Sequence, residues 1–206
     1  MVKNSSTHLP FHHFVNPANA ITLFRFALIP VFGVLAVMYG RSIETGTPDE
    51  TLRYAALVTF ILAAASDGID GYIARKYNLT SKLGAVLDAL ADKVLMLTGL
   101  ITLSFIAWGE SDWIIPSWYI IMVVARDVSI GIGCAMILSL GIKIQVKPHW
   151  TGKATTIAQL FTLGWVMLKV VPLSPLYPTI IAAVLTLWSS WAYSLNCIRQ
   201  VNELRN

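Results

Sequence analysis

Four aspartates, Asp67, Asp70, Asp88 and Asp92, stand inside two otherwise apolar runs of this 206-residue chain. The stretch that holds them reads DGIDGYIARKYNLTSKLGAVLDALAD. Spacings of three and four residues put each pair on one face of a helix. The connector between the pairs, Lys76 to Lys82, carries Asn78, Thr80 and Ser81, which favour turns and helix starts. A reversal near Leu79 leaves Asp70 and Asp88 nine residues from the turn, and Asp67 and Asp92 twelve and thirteen. At about 1.5 Å per residue, two antiparallel helices then carry their carboxylates at matched depths. Four negative groups converging in a low-dielectric place repel strongly, so cations are expected between them. A purely structural role would need basic partners, and only Lys93 and Arg75 stand close by in sequence.

The residues between and beside the acids narrow the chemistry. Gly68, Gly71 and Gly84, with Ala74 one turn after Gly71, permit close backbone approach. Beside carboxylates and metal they leave room for a flat base or a phosphate. Arg75 supplies a planar, permanently charged donor suited to phosphate oxygens. Carboxylates for a divalent metal, small residues and an arginine describe metal-assisted phosphoryl transfer more closely than ion transport. A small cation transporter is the alternative from a different class. It explains intramembrane acids, but not the arginine and glycines at fixed spacing.

These residues need elements to hold them, and composition says what kind. The chain is 56% hydrophobic and 13% charged, against about 25% charged in an ordinary soluble domain. An integral membrane protein is expected. The net charge of +4 is spread out, without basic blocks and interleaved aromatics, so nucleic-acid binding is unsupported. Two cysteines, Cys134 and Cys197, suggest neither a disulfide framework nor a zinc site. The N-terminus lacks the apolar core and cleavage site of a signal peptide.

Residues 1–18 read as a short interfacial segment, and Asn16-Pro17 as the entry to a helix. Six apolar runs follow, at about 20–39, 54–74, 84–108, 113–140, 154–171 and 177–198, each long enough to approach or cross a bilayer. The expected fold is all-α: one domain, 1–206, forming a bundle of six transmembrane helices. Basic residues of the connections and termini number nine on one side (Lys3, Arg75, Lys76, Lys82, Lys143, Lys147, Lys153, Arg199, Arg205) and three on the other (Arg41, Arg53 and, at the end of the fifth run, Lys169). The excess puts both termini and the acidic site on the cytoplasmic side of a bacterial-type inner membrane or an organellar membrane. Arg25, Lys93 and Arg126 lie within the runs and are left out of that count. Trp108, Trp113 and Trp118 are expected to gather at the far interface as an aromatic belt.

The pattern Asp67-x2-Asp70-Gly71-x2-Ala74-Arg75-x8-Gly84-x3-Asp88-x3-Asp92 resembles, position by position, the signature of the CDP-alcohol phosphotransferases. Members of that family join an alcohol to the phosphatidyl group of a CDP-linked lipid and release CMP. The resemblance implies a six-helix, usually dimeric membrane enzyme with two divalent metals, Mg2+ or Mn2+, on the four aspartates. It implies Asp67, Asp70 and Asp88 on one metal, Asp67, Asp88 and Asp92 on the second, and Asp92 as general base. Asn19, Thr22, Gly71, Arg75 and Ser81 match positions lining the CDP site, where Ala74 and Gly84 add small residues. The implied partners are CDP-diacylglycerol, a phosphorylated or lipid alcohol, membrane lipids and a second copy of the chain.

The acceptor is less legible. A phosphorylated alcohol needs fixed positive charge near the metals, and Arg126, Lys147 and Lys153, with His149 weaker, could supply it. Adjacent residues on a helix point in different directions, so a pair between Arg126 and Asp127 is not expected to consume the arginine. The runs Asn16–Arg25, Leu83–Lys93 and Gly152–Thr155 are similar to the branch holding phosphatidylglycerophosphate and cardiolipin synthases. The basic cluster favours sn-glycerol 3-phosphate. The Arg126-Asp127 pair is similar to cardiolipin synthases, which keeps phosphatidylglycerol as an alternative, followed by inositol phosphate.

Overall fold

The computed structural model describes residues 17–76, 82–109, 113–139, 150–169 and 172–203; within these, side chains are described except at 17–20, 67–76, 82, 83, 85, 134, 137–139 and 196–203. Six α-helices follow one another: α1 (Pro17–Glu44), α2 (Glu50–Lys76), α3 (Lys82–Phe105), α4 (Ser117–Ser139), α5 (Trp150–Leu168) and α6 (Leu176–Glu203). No strand occurs among the described residues. The chain is therefore all-helical, and the expected order of six elements holds. The interfacial segment expected over 1–18 lies outside the described residues but for Pro17 and Ala18, which already belong to α1.

Local chemistry sets the ends. Pro17 opens α1, where its missing N–H costs nothing. Past its end, Gly46 takes a positive φ of 76°, which lets the chain turn down toward α2. Asp49 then caps α2, its Oδ1 accepting from the Thr51 N–H at 2.9 Å, with Glu50 in the first turn. At the start of α6 the Ser174 hydroxyl accepts from the Leu176 N–H. The C-terminus of α5 is closed from outside the helix. Arg53 of α2 donates to the carbonyls of Met167 (3.1 Å) and Leu168 (3.0 Å), and also pairs with Glu50.

Helix α1 packs along α2 and α3, while α6 packs on α5 and α4; α3 joins the two groups through α4 and α5. Ile29, Phe32, Ala36 and Tyr39 form the inner stripe of α1 at helical spacing, facing Ala56, Leu57, Phe60 and Ala63 of α2. Gly99 lets α3 approach α5, since a Cβ there would sit 3.2 Å from Leu163. Threonines tie α5 to α6: Thr155 donates to the Leu185 carbonyl and Thr162 to that of Pro178.

Large apolar side chains cover the outside as well as the core. The outward faces carry Leu23, Val34, Ile61, Phe105, Ile121, Val184 and Trp191, while Thr155, Gln159, Thr162, Thr179, Thr186 and Ser189 are buried. One stretch among the described residues, Ile21–Glu44, is long and apolar enough by length and composition alone to cross a membrane, with mean hydropathy 2.2.

The tryptophan belt needs correction. Trp108 is fully buried, edge-on to Tyr39 at 5.1 Å, and Trp113 donates to the Val166 carbonyl. Helix α3 stops at Phe105, and the chain folds back over the bundle end, with the Ile115 N–H reaching the Leu103 carbonyl. That return carries both indoles inward; Trp118 alone of the three is exposed. Two basic residues counted as loop charges are likewise engaged at this end. Arg53 caps α5, and Lys169 donates to the Tyr39 hydroxyl at 2.9 Å. Burial holds the Lys169 ammonium below its usual pKa, with Glu50 opposing.

Replacing Arg53 by Met removes a charged donor from two carbonyls that have nothing comparable in its place. Thermal unfolding should register a loss of about 2–3 kcal/mol. An unchanged midpoint would show that α5 ends without this cap.

Candidate active site

At the opposite end, the acidic residues of α3 converge on a cation from α1. Asp88 and Asp92 are one helical turn apart and partly buried. The Arg25 guanidinium lies against both: its Nη1 donates to Asp88 Oδ1 at 2.9 Å and stands 3.7 Å from Asp92 Oδ1. Its Nε donates to the Ser66 hydroxyl of α2 at 3.2 Å. One fully buried side chain thus joins three helices at the acidic site.

A buried guanidinium without partners would be costly, whereas here its charge is matched by two carboxylates. Ser66 is itself held by donating to the Ala63 carbonyl at 2.7 Å. Asp67 is the next residue along α2, and Asp70 stands one turn beyond Ser66. The backbone therefore brings the α2 acidic segment to the helix that faces Asp88 and Asp92 through Arg25.

The side chains of Asp67, Asp70, Gly71, Ala74 and Arg75 lie outside the described residues, although their backbone is part of α2. The Asn19 side chain, Ser81 and Lys147 also lie outside. Among the described residues no three metal-binding side chains converge, so the described half of the expected ligand set is Asp88 and Asp92. These two fit a hard divalent cation. Asp88 turns one oxygen to Arg25, both carboxylates are more than a third exposed, and the donors are all oxygen. An arginine gripping the far side of a ligand carboxylate is the usual way such ligands are oriented.

Thr22 is buried one turn before Arg25, and Gly84 is half-buried one turn before Asp88. Both expected CDP-lining residues therefore flank the acidic centre along their own helices.

The expected acceptor residues divide. Lys153 is exposed in the first turn of α5. Arg126, largely buried, donates to Asp127 Oδ1 at 2.8 Å and to the Ser189 hydroxyl of α6 at 3.1 Å. The pair with Asp127 corrects the expectation from helix geometry. Neighbouring Cα–Cβ directions differ by roughly 100°, but the long arginine stem swings its head back to the carboxylate. Asp127 also accepts from Lys93 of α3, the residue after Asp92.

Arg25, Ser66, Lys93, Asp127 and Ser189 were not among the expected site residues. The signal for Arg25 was present, because an arginine within an apolar run is a functional candidate by default. It had been set aside only as uninformative about topology.

Comparison with known proteins identifies the family. Residues 15–195 match the sequence model of the CDP-alcohol phosphatidyltransferases. A CDP-diacylglycerol–glycerol-3-phosphate 3-phosphatidyltransferase of Bacillus subtilis strain 168 is 34% identical over 190 residues, covering 86% of this chain and 93% of the relative. Proteins of the same name from Escherichia coli strain K12 (33% over 184 residues; 86% and 92%) and Haemophilus influenzae (30% over 177 residues; 84% and 88%) are also similar.

Arg25→Lys keeps a charge on α1 but loses the fork that spans Ser66 and Asp88. Turnover should fall about 10- to 100-fold, the range typical for partners that orient ligand carboxylates. Wild-type turnover in a folded Arg25→Lys protein would show that the carboxylates need no such grip.

Proposed function

Since the chain belongs to the CDP-alcohol phosphatidyltransferase family, we propose that it transfers the phosphatidyl group of CDP-diacylglycerol to sn-glycerol 3-phosphate. The products are phosphatidylglycerophosphate and CMP, and the role is phospholipid biosynthesis. The relatives' names support this acceptor, and the observation that carries the chemistry is Asp88 and Asp92 converging on Arg25 beside the α2 acidic segment.

Asp67, Asp70, Asp88 and Asp92 would hold two divalent cations, Mg2+ or Mn2+, which when bound neutralise the diphosphate and stabilise the departing CMP. Asp92, farthest from the α2–α3 connection, takes the proton of the acceptor hydroxyl. The oxygen attacks the lipid-side phosphorus as the bond to CMP breaks. Arg25 keeps Asp88 and Asp92 aimed, so that little reorganisation is left for the reaction itself. Thr22, Asn19, Gly71, Ala74, Arg75, Ser81 and Gly84 line the nucleotide end. Arg126, Lys147 and Lys153 supply the positive field for the acceptor phosphate.

The setting is a six-span membrane bundle, in this reading a homodimer. The bundle's support is the apolar outer face carried by every helix, a surface that lipid can cover. A cytoplasmic side for the site and both termini is supported by the nine-to-three distribution of basic residues.

Purified protein supplied with CDP-diacylglycerol, Mg2+ or Mn2+ and a panel of alcohols should release CMP with sn-glycerol 3-phosphate and stop on chelation. Release with phosphatidylglycerol instead would make it a cardiolipin synthase. Cation flux in liposomes without CMP would overturn the enzyme reading. Asp92→Asn, once its metal affinity is measured separately, should abolish turnover in a folded protein. Near-normal activity would remove Asp92 from the base role.

A further inference from the structure

Arg126 is nine-tenths buried and bound to a carboxylate, which at first sight leaves it nothing to offer an anion. Its surroundings say otherwise. Asp127 meets two cations, one on each oxygen: Arg126 from its own helix through Oδ1 and Lys93 of α3 through Oδ2. The three side chains together keep one net positive charge. Lys93 is half exposed and Arg126 is not. Their shared carboxylate therefore draws the surface cation inward and fixes the buried one.

The guanidinium is also held from the other side. Ser189 of α6 accepts from Nη2, the Tyr193 ring stands 6.0 Å from its centre, and a Cβ on Gly152 would come within 3.8 Å of Nη2. The same glycine lies in the first turn of α5, whose N-terminus carries partial positive charge. Within this enclosure Arg126 Nε is buried and has no hydrogen-bond partner among the described residues, so one donor of the guanidinium is still to be matched.

We infer that Asp127, anchored by Lys93, is a positioning residue for the acceptor: it fixes Arg126 for the phosphate and links that pocket to the helix carrying Asp88 and Asp92. This rests on the reading of sn-glycerol 3-phosphate as acceptor. Lys93 is the middle of the link, since it follows Asp92 on α3 and grips α4 through Asp127. Without Lys93, Asp127 serves to neutralise Arg126 alone; without Asp127, Lys93 loses its tie to α4 and Arg126 is held by Ser189 only from the α6 side.

A pure charge account predicts the opposite sign for Asp127, because deleting a negative group should strengthen phosphate binding. Positioning predicts that binding weakens. The test is steady-state kinetics of the purified full chain in mixed micelles with Mn2+, varying CDP-diacylglycerol and sn-glycerol 3-phosphate in turn.

Asp127→Asn and Lys93→Met should each raise the KM for sn-glycerol 3-phosphate about tenfold, with the KM for CDP-diacylglycerol within about twofold. The double variant should be little worse than either single one, because both break one link. An unchanged or lowered acceptor KM in both single variants overturns the inference, as does an equal rise in both KM values. If Asp127→Asn does not fold, Lys93→Met, at a half-exposed position, decides alone by the same criteria.

Arg126→Met separates this from the reading beneath it. If that variant leaves the acceptor KM unchanged, or wild-type protein releases CMP with phosphatidylglycerol and not with sn-glycerol 3-phosphate, the acceptor reading itself fails. If Arg126→Met raises the KM while Lys93→Met and Asp127→Asn do not, the positioning role alone fails.

Discussion

The acidic end of the bundle depends on how a fully buried cation is kept company. Arg25 has no access to solvent, so its charge must be answered by the protein. Asp88 and Asp92 answer it from α3, and Ser66 binds it from α2. In return, two carboxylates that would repel each other are held together. The mutual need fixes the relative rotation of three helices, because any turn of α1 or α3 would part the charges and any turn of α2 would take Ser66 from Arg25.

The rest of the packing combines an apolar core with polar groups placed among it. Small residues and hydrogen bonds add to the burial of that core where helices meet. Gly99 admits Leu163, and the hydroxyls of Thr155 and Thr162 reach carbonyls of α6. Charge is placed at two levels. Arg53 and Lys169 close the end away from the acids, where they bind α5 carbonyls and Tyr39. Lys93, Asp127 and Arg126 cross from α3 to α4 and on toward α6 on the acidic side.

This division gives each end a distinct task. At the far end Arg53 and Lys169 serve structure, one closing the α5 terminus and the other binding Tyr39 of α1. On the acidic side the charges are only partly spent. Asp88 and Asp92 remain more than a third exposed, Lys153 is exposed, and Arg126 keeps an unpaired Nε. Charged groups that solvent can still reach are the ones open to substrate and metal.

Much of this was legible from residue order. Apolar runs marked the six helices, because burial or lipid contact over about 20 residues leaves an unmistakable stretch of side chains. Aspartates at three- and four-residue spacing marked the site, because helical periodicity is a local property. Trp108 and Trp113 misled, since nothing local says that a loop will fold back over its own bundle. Arg25, Lys93 and Asp127 show the deeper limit. Sequence alone determined that charges stood in apolar helices and that four acids were spaced as two helical pairs. Only the tertiary structure decided which cation answers which carboxylate, because those partners lie 63 and 34 residues apart and meet through the packing of different helices.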